Sequence, residues 1–169
     1  MTAPHPDGVI YRTFRPGDEG AFLRLNEDWI SKFFEIEPAD REIISHPGKY
    51  ILDPGGQILI AERDGQAVGC CALIAMAPGE FELAKMTVAE SERGSGIGRR
   101  LLQFAIDEGR RMGAHRLYLE SNTRAAAAIH LYEQLGFRHL PAGDHPSKYQ
   151  RANVFMELRL RSADSSPSR

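Results

Sequence analysis

The sequence predicts a single α+β domain in which a largely antiparallel sheet is flanked by helices. Three observations carry that expectation. The segments 57–63, 67–76 and 81–88 are rich in apolar residues and are separated only by Asp64-Gly65 and Ala77-Pro78-Gly79. Connections so short make antiparallel pairing the simplest arrangement. The pattern then changes: 96–113 and 123–135 read as helices, closed by Gly113 and Gly136, the residue type that most readily ends a helix in a left-handed conformation. Finally, 169 residues with 42% apolar and 26% charged content match one ordinary globular domain, long enough to bury a core. No repeat or internal linker divides the chain.

Taken in order, residues 1–8 read as a disordered leader, 9–161 as the domain and 162–169 as a short, polar, disordered tail. Val9 to Phe14 forms a first strand, stopped by Arg15-Pro16-Gly17. Asp18 reads as the cap of a helix in which Ala21, Phe22, Leu25, Trp29 and Phe33 recur at near-helical spacing, the mark of a buried stripe. A short helix follows from Pro38 to Ile44, with proline suited to its first turn. The meander, the long helix, a strand from His115 to Ser121, the alanine-rich helix and a last strand from Asn153 to Leu160 complete the domain.

Composition excludes several classes. Net charge is −2, and the longest basic clusters, Arg99-Arg100 and Arg110-Arg111, suit the solvated face of a helix, so no nucleic-acid partner is expected. No apolar run is long enough for a membrane span, and residues 1–8 lack a signal-like pattern. Cys70 and Cys71 are adjacent within an apolar strand; neighbours there point to opposite faces, so two buried thiols in a reducing cytoplasm are expected rather than a disulfide. The six histidines are scattered, and no metal site is expected.

The most informative stretch runs from Thr87 to Leu102. A strand ends at Val88, a polar loop follows, and Gly94, Gly96 and Gly98 precede a helix. Glycines let a backbone approach a ligand closely, and the first amides of a helix lack internal partners and carry the positive end of its dipole. Such a turn suits a pyrophosphate. The Walker pattern fails, because Gly98 is followed by Arg99-Arg100; the dinucleotide fingerprint fails, because its third glycine would fall on Arg99. Read without further context, the glycines equally suit a tight strand-to-helix joint.

Arg93-Gly94-Ser95-Gly96-Ile97-Gly98 resembles the R/Q-x-x-G-x-G/A signature of the GNAT superfamily of acyl-CoA-dependent N-acyltransferases. The strand Glu82–Val88 precedes it, and Tyr118-Leu119-Glu120-Ser121-Asn122 and Ala128–Phe137 follow in the family's order. The resemblance covers roughly 9–160, with its specific part at 81–137. It implies a GNAT fold: a mixed, largely antiparallel sheet of six to seven strands, about four helices, and a splayed V between the two middle strands. It also implies acetyl-CoA as co-substrate. Backbone groups around Met86, Thr87 and Val88 would pair with the pantetheine arm. The amides of Gly94, Ser95, Gly96, Ile97, Gly98 and Arg99 would hold the pyrophosphate. Arg93 would add charge there, and Asn122 would bond the cofactor arm or cap the following helix.

Acyl transfer to an amine needs a neutral nucleophile, a polarised carbonyl and a proton for the departing thiolate. The resemblance places Tyr132 as the acid and Glu82 as a candidate base, with packing for the tyrosine and a Lys85 pair for the glutamate as the alternatives. The carbonyl would be polarised by a backbone N–H, that of Val88. On the acceptor side the resemblance puts Asn26, Trp29, Phe33, Phe34 and Glu35 in view, with Ser147–Arg151 able to fold over the mouth; helical spacing alone places Trp29 and Phe33 in the core. The expected partner is a small-molecule primary amine. A protein or peptide amine, a non-catalytic acyl-CoA sensor and a nucleotide-phosphate binder are the other readings. A sheet edge open near the last strand would allow a homodimer.

Overall fold

The computed structural model describes residues 3–142 and 146–160. The proposed tail at 162–169 lies outside them. Seven strands form one sheet in the order β1-β2-β3-β4-β5-β7-β6: β1 Val9–Thr13, β2 Gln57–Arg63, β3 Gln66–Ala75, β4 Glu80–Val88, β5 Arg116–Ser121, β6 Arg138–Leu140 and β7 Val154–Arg159. Helices α1 Glu19–Phe33 and α2 Pro38–Ser45 precede β2, α3 Ile97–Arg111 joins β4 to β5, and α4 Ala126–Gln134 follows β5. β2, β3 and β4 pair antiparallel, as the short turns between them require, and β1 adds antiparallel to β2 after the excursion through α1 and α2; β4 and β5 are parallel, with α3 as the crossover.

The sheet separates two cores. Leu59, Cys71, Leu73, Phe81, Leu83, Leu117 and Leu119 pack with α3 and with Tyr132 of α4. Phe22, Leu25, Ile43, Ile44, Ile58, Ile60, Cys70 and Ala72 form the other face, beneath α1 and α2. The near-continuous apolar character of β3 follows from this burial on both sides. Cys70 and Cys71 are free thiols that enter opposite cores, and burial raises the Cys70 pKa to about 12.

Several local readings change. The buried stripe of α1 is Phe22, Leu25, Asn26 and Ile30; Trp29 flanks it, and Phe33 is 38% exposed. A 3.6-residue period accommodates either set, and packing against β3 and β4 selects the first. Asp18 occupies the position before α1 but caps nothing with its side chain. Its carboxylate instead accepts from the Arg12 guanidinium at 2.7 and 3.0 Å and from the Arg15 amide. A π-type turn at Gly48–Leu52 and the short strand β6 were not legible. Because β6 pairs with β7, the last strand is not the sheet edge; β1 and β6 are. Ahead of β1, Asp7 accepts from the Val9 amide and from the Arg100 guanidinium at 2.9 Å each, which ties the leader to α3.

Two features shape the centre. Cys70 pairs with Thr87 and Ala72 with Ala84, so β4 carries one extra residue against β3. The bulge falls at Lys85, whose φ of +54° is left-handed. Bulges bend the strand that bears them. Next to it, β4 and β5 pair only through Glu80–Arg116, Phe81–Leu117 and Glu82–Tyr118. Beyond Glu82 the two strands part. The V expected from the resemblance is therefore present, and it opens at a named residue.

Candidate active site

A cavity of about 130 Å³ fills the opening. Its wall includes Asn26, Trp29 and Phe34 on the α1 side, residues 82–87 of β4, residues 120–122 of β5, and Ala128 and Tyr132 of α4. It thus passes between β4 and β5, from one face of the sheet to the other.

Glu82 stands opposite Ile74, which packs in the α1–α2 core, so its side chain lies on that face. Tyr132 belongs to the α3–α4 core. The two groups flank the opening from opposite faces. The ring of Tyr132 packs against Phe137 at 5.8 Å between centroids, and the residue is only 8% exposed. No hydrogen-bond partner holds its hydroxyl among the described residues, yet no buried side-chain polar atom is left unsatisfied: the hydroxyl reaches solvent through the cavity. Burial, with a smaller contribution from Cys71, raises its pKa far above the ordinary tyrosine value, so it is a neutral O–H donor at any working pH.

The approach to α3 is a chain of backbone amides. Gly94 and Gly96 have φ of +80° and +85°, a conformation that strains every residue with a Cβ. No side chain caps α3, so its first amides stay open. Gly98 lies on the helix face toward the cleft, where an added Cβ would stand 3.7–3.8 Å from Met86, Val88 and Leu131. Ile97 turns its side chain into the core, leaving only its backbone for a ligand. Thr87 likewise is buried, its hydroxyl donating to the Leu25 carbonyl. Arg93 donates through Nε to the Val88 carbonyl at 3.4 Å, and Arg99 reaches across to Gln134 at 3.0 Å. Asn122 uses both ends of its amide locally: Nδ2 donates to the Arg151 carbonyl and Oδ1 accepts from the Arg124 amide.

On the acceptor side, Trp29 and Phe34 line the cavity. Phe33 stacks on both but does not line it, and Glu35 is exposed and is not part of the wall either. Asn26 is buried, donating to the Phe22 carbonyl. The residues before β7 contribute to the same wall. Ser147 donates to Glu120, and Tyr149 and Arg151 complete the wall.

Sequence reasoning missed the charged cluster behind that wall. Asp40 of α2 is fully buried and accepts from Lys85 Nζ at 2.8 Å and from both terminal nitrogens of Arg151 at 2.6 and 2.7 Å. Glu37 also pairs with Arg151, at 3.0 Å. Lys85 donates to the Tyr149 hydroxyl at 3.1 Å and sits 4.6 Å from its ring centre. Lys85 is therefore the partner of Asp40, not of Glu82. Burial alone would raise the Asp40 pKa, but Arg151 and Lys85 overcome it and hold the carboxylate below its usual value. Burial raises the Tyr149 hydroxyl, against the Lys85 charge. The signal in the sequence is faint: Asp40 falls inside a short helix and reads as one more solvated charge. Among the described residues, no group of three or more His, Cys, Asp and Glu residues is placed to hold a metal ion, and no helix is long and apolar enough to cross a membrane.

A parallel strand pair that splays around a cavity, with open helix amides at its end and a phenol facing inward, defines an acyltransferase fold. The profile of the Acetyltransferase (GNAT) family matches residues 22–137, and the chain belongs to that family. It is an acyltransferase of the acetyl-CoA-dependent kind. It is 31% identical over 161 residues to streptothricin acetyltransferase of Streptomyces lavendulae, spanning 81% of this chain and 85% of that protein. It is 40% identical over 126 residues to IAA acetyltransferase of Azospirillum brasilense, spanning 70% and 78%. The YncA structure of Salmonella typhimurium, solved with its cofactor acetyl-CoA, superposes with a TM-score of 0.73 over 94% of this chain and 97% of that one, at 22% identity. The names of the two relatives give different acceptors.

Proposed function

We propose that the chain transfers an acetyl group from acetyl-CoA to the primary amine of a small molecule, by direct attack with both bound at once. The observation that carries this reading is the cavity through the β4–β5 opening, which has Glu82 on one face and Tyr132 on the other. The cavity fits the acyl carrier. A free strand edge at Met86–Val88 suits a pantetheine arm, and the open amides of residues 94–99 suit a diphosphate. Acetyl-CoA supplies an activated thioester carbonyl there.

The chain's own groups supply the rest. Glu82 takes the proton from the incoming ammonium, directly or through water, and so exposes its lone pair. A backbone N–H beside the β4 bulge, that of Val88, polarises the acyl oxygen. Burial keeps the Tyr132 phenol protonated; it gives that proton to the sulfur as the C–S bond breaks, and the second N–H proton shed by the new amide restores the phenol. Arg93, with Arg99 at the start of α3, adds positive charge at the phosphates, and Asn122 holds the β5 end of the cleft in register. Trp29 and Phe34 form the apolar side of the acceptor wall. A pure acyl-CoA sensor has no use for a neutral phenol held without a hydrogen-bond partner in the cavity, which favours catalysis.

Release of thiol from acetyl-CoA, followed over a panel of polyamines, amino acids, aminoglycosides and peptides, tests the proposal. Turnover on a small amine supports it. Tight binding of acetyl-CoA with no turnover on any amine supports the sensor, and turnover confined to peptides transfers the reading to protein amines.

A further inference from the structure

The cations Lys85 and Arg151 line the acceptor cavity, whereas Asp40, the carboxylate that binds both, does not. Asp40 lies behind them, fully buried on α2. One Asp40 oxygen takes Lys85 and one nitrogen of Arg151; the other takes the second nitrogen of Arg151 and the Glu37 amide. Its acceptor capacity is filled by groups from α2, β4 and the segment before β7. The arrangement also holds the left-handed Lys85 of the bulge and the Arg151 carbonyl that receives Asn122.

Resting on the acetyltransferase reading, we propose that Asp40 is a specificity-determining residue that acts through Lys85 and Arg151: by engaging both cations from behind, it withholds them from a substrate carboxylate and selects amines that lack one. A bidentate arginine–carboxylate pair and a lysine contact are the bonds that an amino-acid acceptor would otherwise claim. Glu37 acts in the same direction on Arg151 alone.

Two acceptors of equal chain length, n-butylamine and 4-aminobutanoate, test this by their kcat/KM ratio, with binding to CoA-saturated protein read from the fluorescence of Trp29, the only tryptophan. In Asp40→Asn the ratio moves toward 4-aminobutanoate by about tenfold, the value of one charge-assisted hydrogen bond, while CoA affinity stays within about twofold of the parent. A purely structural role predicts that both acceptors lose equally and the ratio holds; that result overturns the inference. Should Asp40→Asn fail to fold, Glu37→Gln, at a partly exposed site, shifts the ratio in the same direction by about two- to threefold, and an unchanged ratio there overturns the inference too. So does parent protein that binds CoA but responds to neither acceptor. Parent protein with no affinity for CoA overturns the functional reading itself.

Discussion

Glu82 on β4 and Tyr118 on β5 are the last residues to face each other before the two strands separate. The position of that pair fixes the site. Toward the start of the strands the sheet is closed and stiff; toward their ends it opens into the cavity that Glu82 and Glu120 line. The carboxylate proposed as the base thus sits at the apex of the V, where the backbone is held on both sides. Past the apex, the bulge at Lys85 bends β4 further and brings Met86 to the opening.

Tyr132→Phe removes the proton source without removing a hydrogen bond, since the hydroxyl has no partner among the described residues. The expected outcome is a fall in kcat of roughly a hundredfold, with KM for acetyl-CoA and thermal stability close to the parent. Steady-state kinetics beside a melting curve check it. An unchanged kcat leaves Tyr132 as a packing residue against Phe137.

Glu82→Gln lowers kcat/KM across the pH range and removes the inflection that an enzyme carboxylate places on the acid side, leaving only the roughly tenfold-per-unit rise that tracks the free-amine fraction of the acceptor. A pH–rate series with parent and variant decides, and an acid-side inflection that survives in the variant assigns the base to another group.

Gly96→Ala forces a Cβ onto a residue at φ +85°, with the Arg100 guanidinium 3.0 Å away. Left-handed backbone costs a non-glycine residue about 1–2 kcal/mol, and the loop can relieve that strain only by turning its amides. CoA affinity is expected to drop about tenfold while the melting temperature changes little. Calorimetry with coenzyme A measures it; undiminished affinity shows that the amides are not the phosphate site.

Glu157→Gln breaks a buried pair at the closed end of the V, where Glu157 accepts from Arg116 Nε at 2.6 Å. Loss of one partner costs about 3 kcal/mol. Burial would raise the Glu157 pKa, but Arg116 and Arg159 bring it below the ordinary glutamate value. A carboxylate lowered on folding stabilises fully above its unfolded pKa and loses that contribution as pH falls through the folded one. The melting-temperature gap between parent and variant is therefore wide at neutral pH and narrows in acid. A gap independent of pH contradicts this account of the pair.

How much of this was legible in the sequence depended on how local the signal was. β2, the Asp64-Gly65 turn and α3 follow from period and turn chemistry within a few residues, and the structure keeps them nearly unchanged. The glycine loop was legible because Gly94 and Gly96 report a backbone requirement directly. Trp29 and Phe33 were misplaced because a helical period tolerates two neighbouring stripes, and only contact with the sheet distinguishes them. β6 is three residues long and exists because β7 offers it an edge. Asp40 lies 45 residues from Lys85 and 111 from Arg151, so no local pattern announces their meeting.

A crystal structure of the protein with coenzyme A tests the central claim most directly. The account predicts diphosphate oxygens at hydrogen-bond distance, about 3 Å, from the amides of residues 94–99, and the thiol between β4 and β5 beside the Tyr132 hydroxyl. A cofactor bound elsewhere, or a thiol remote from Tyr132, contradicts it.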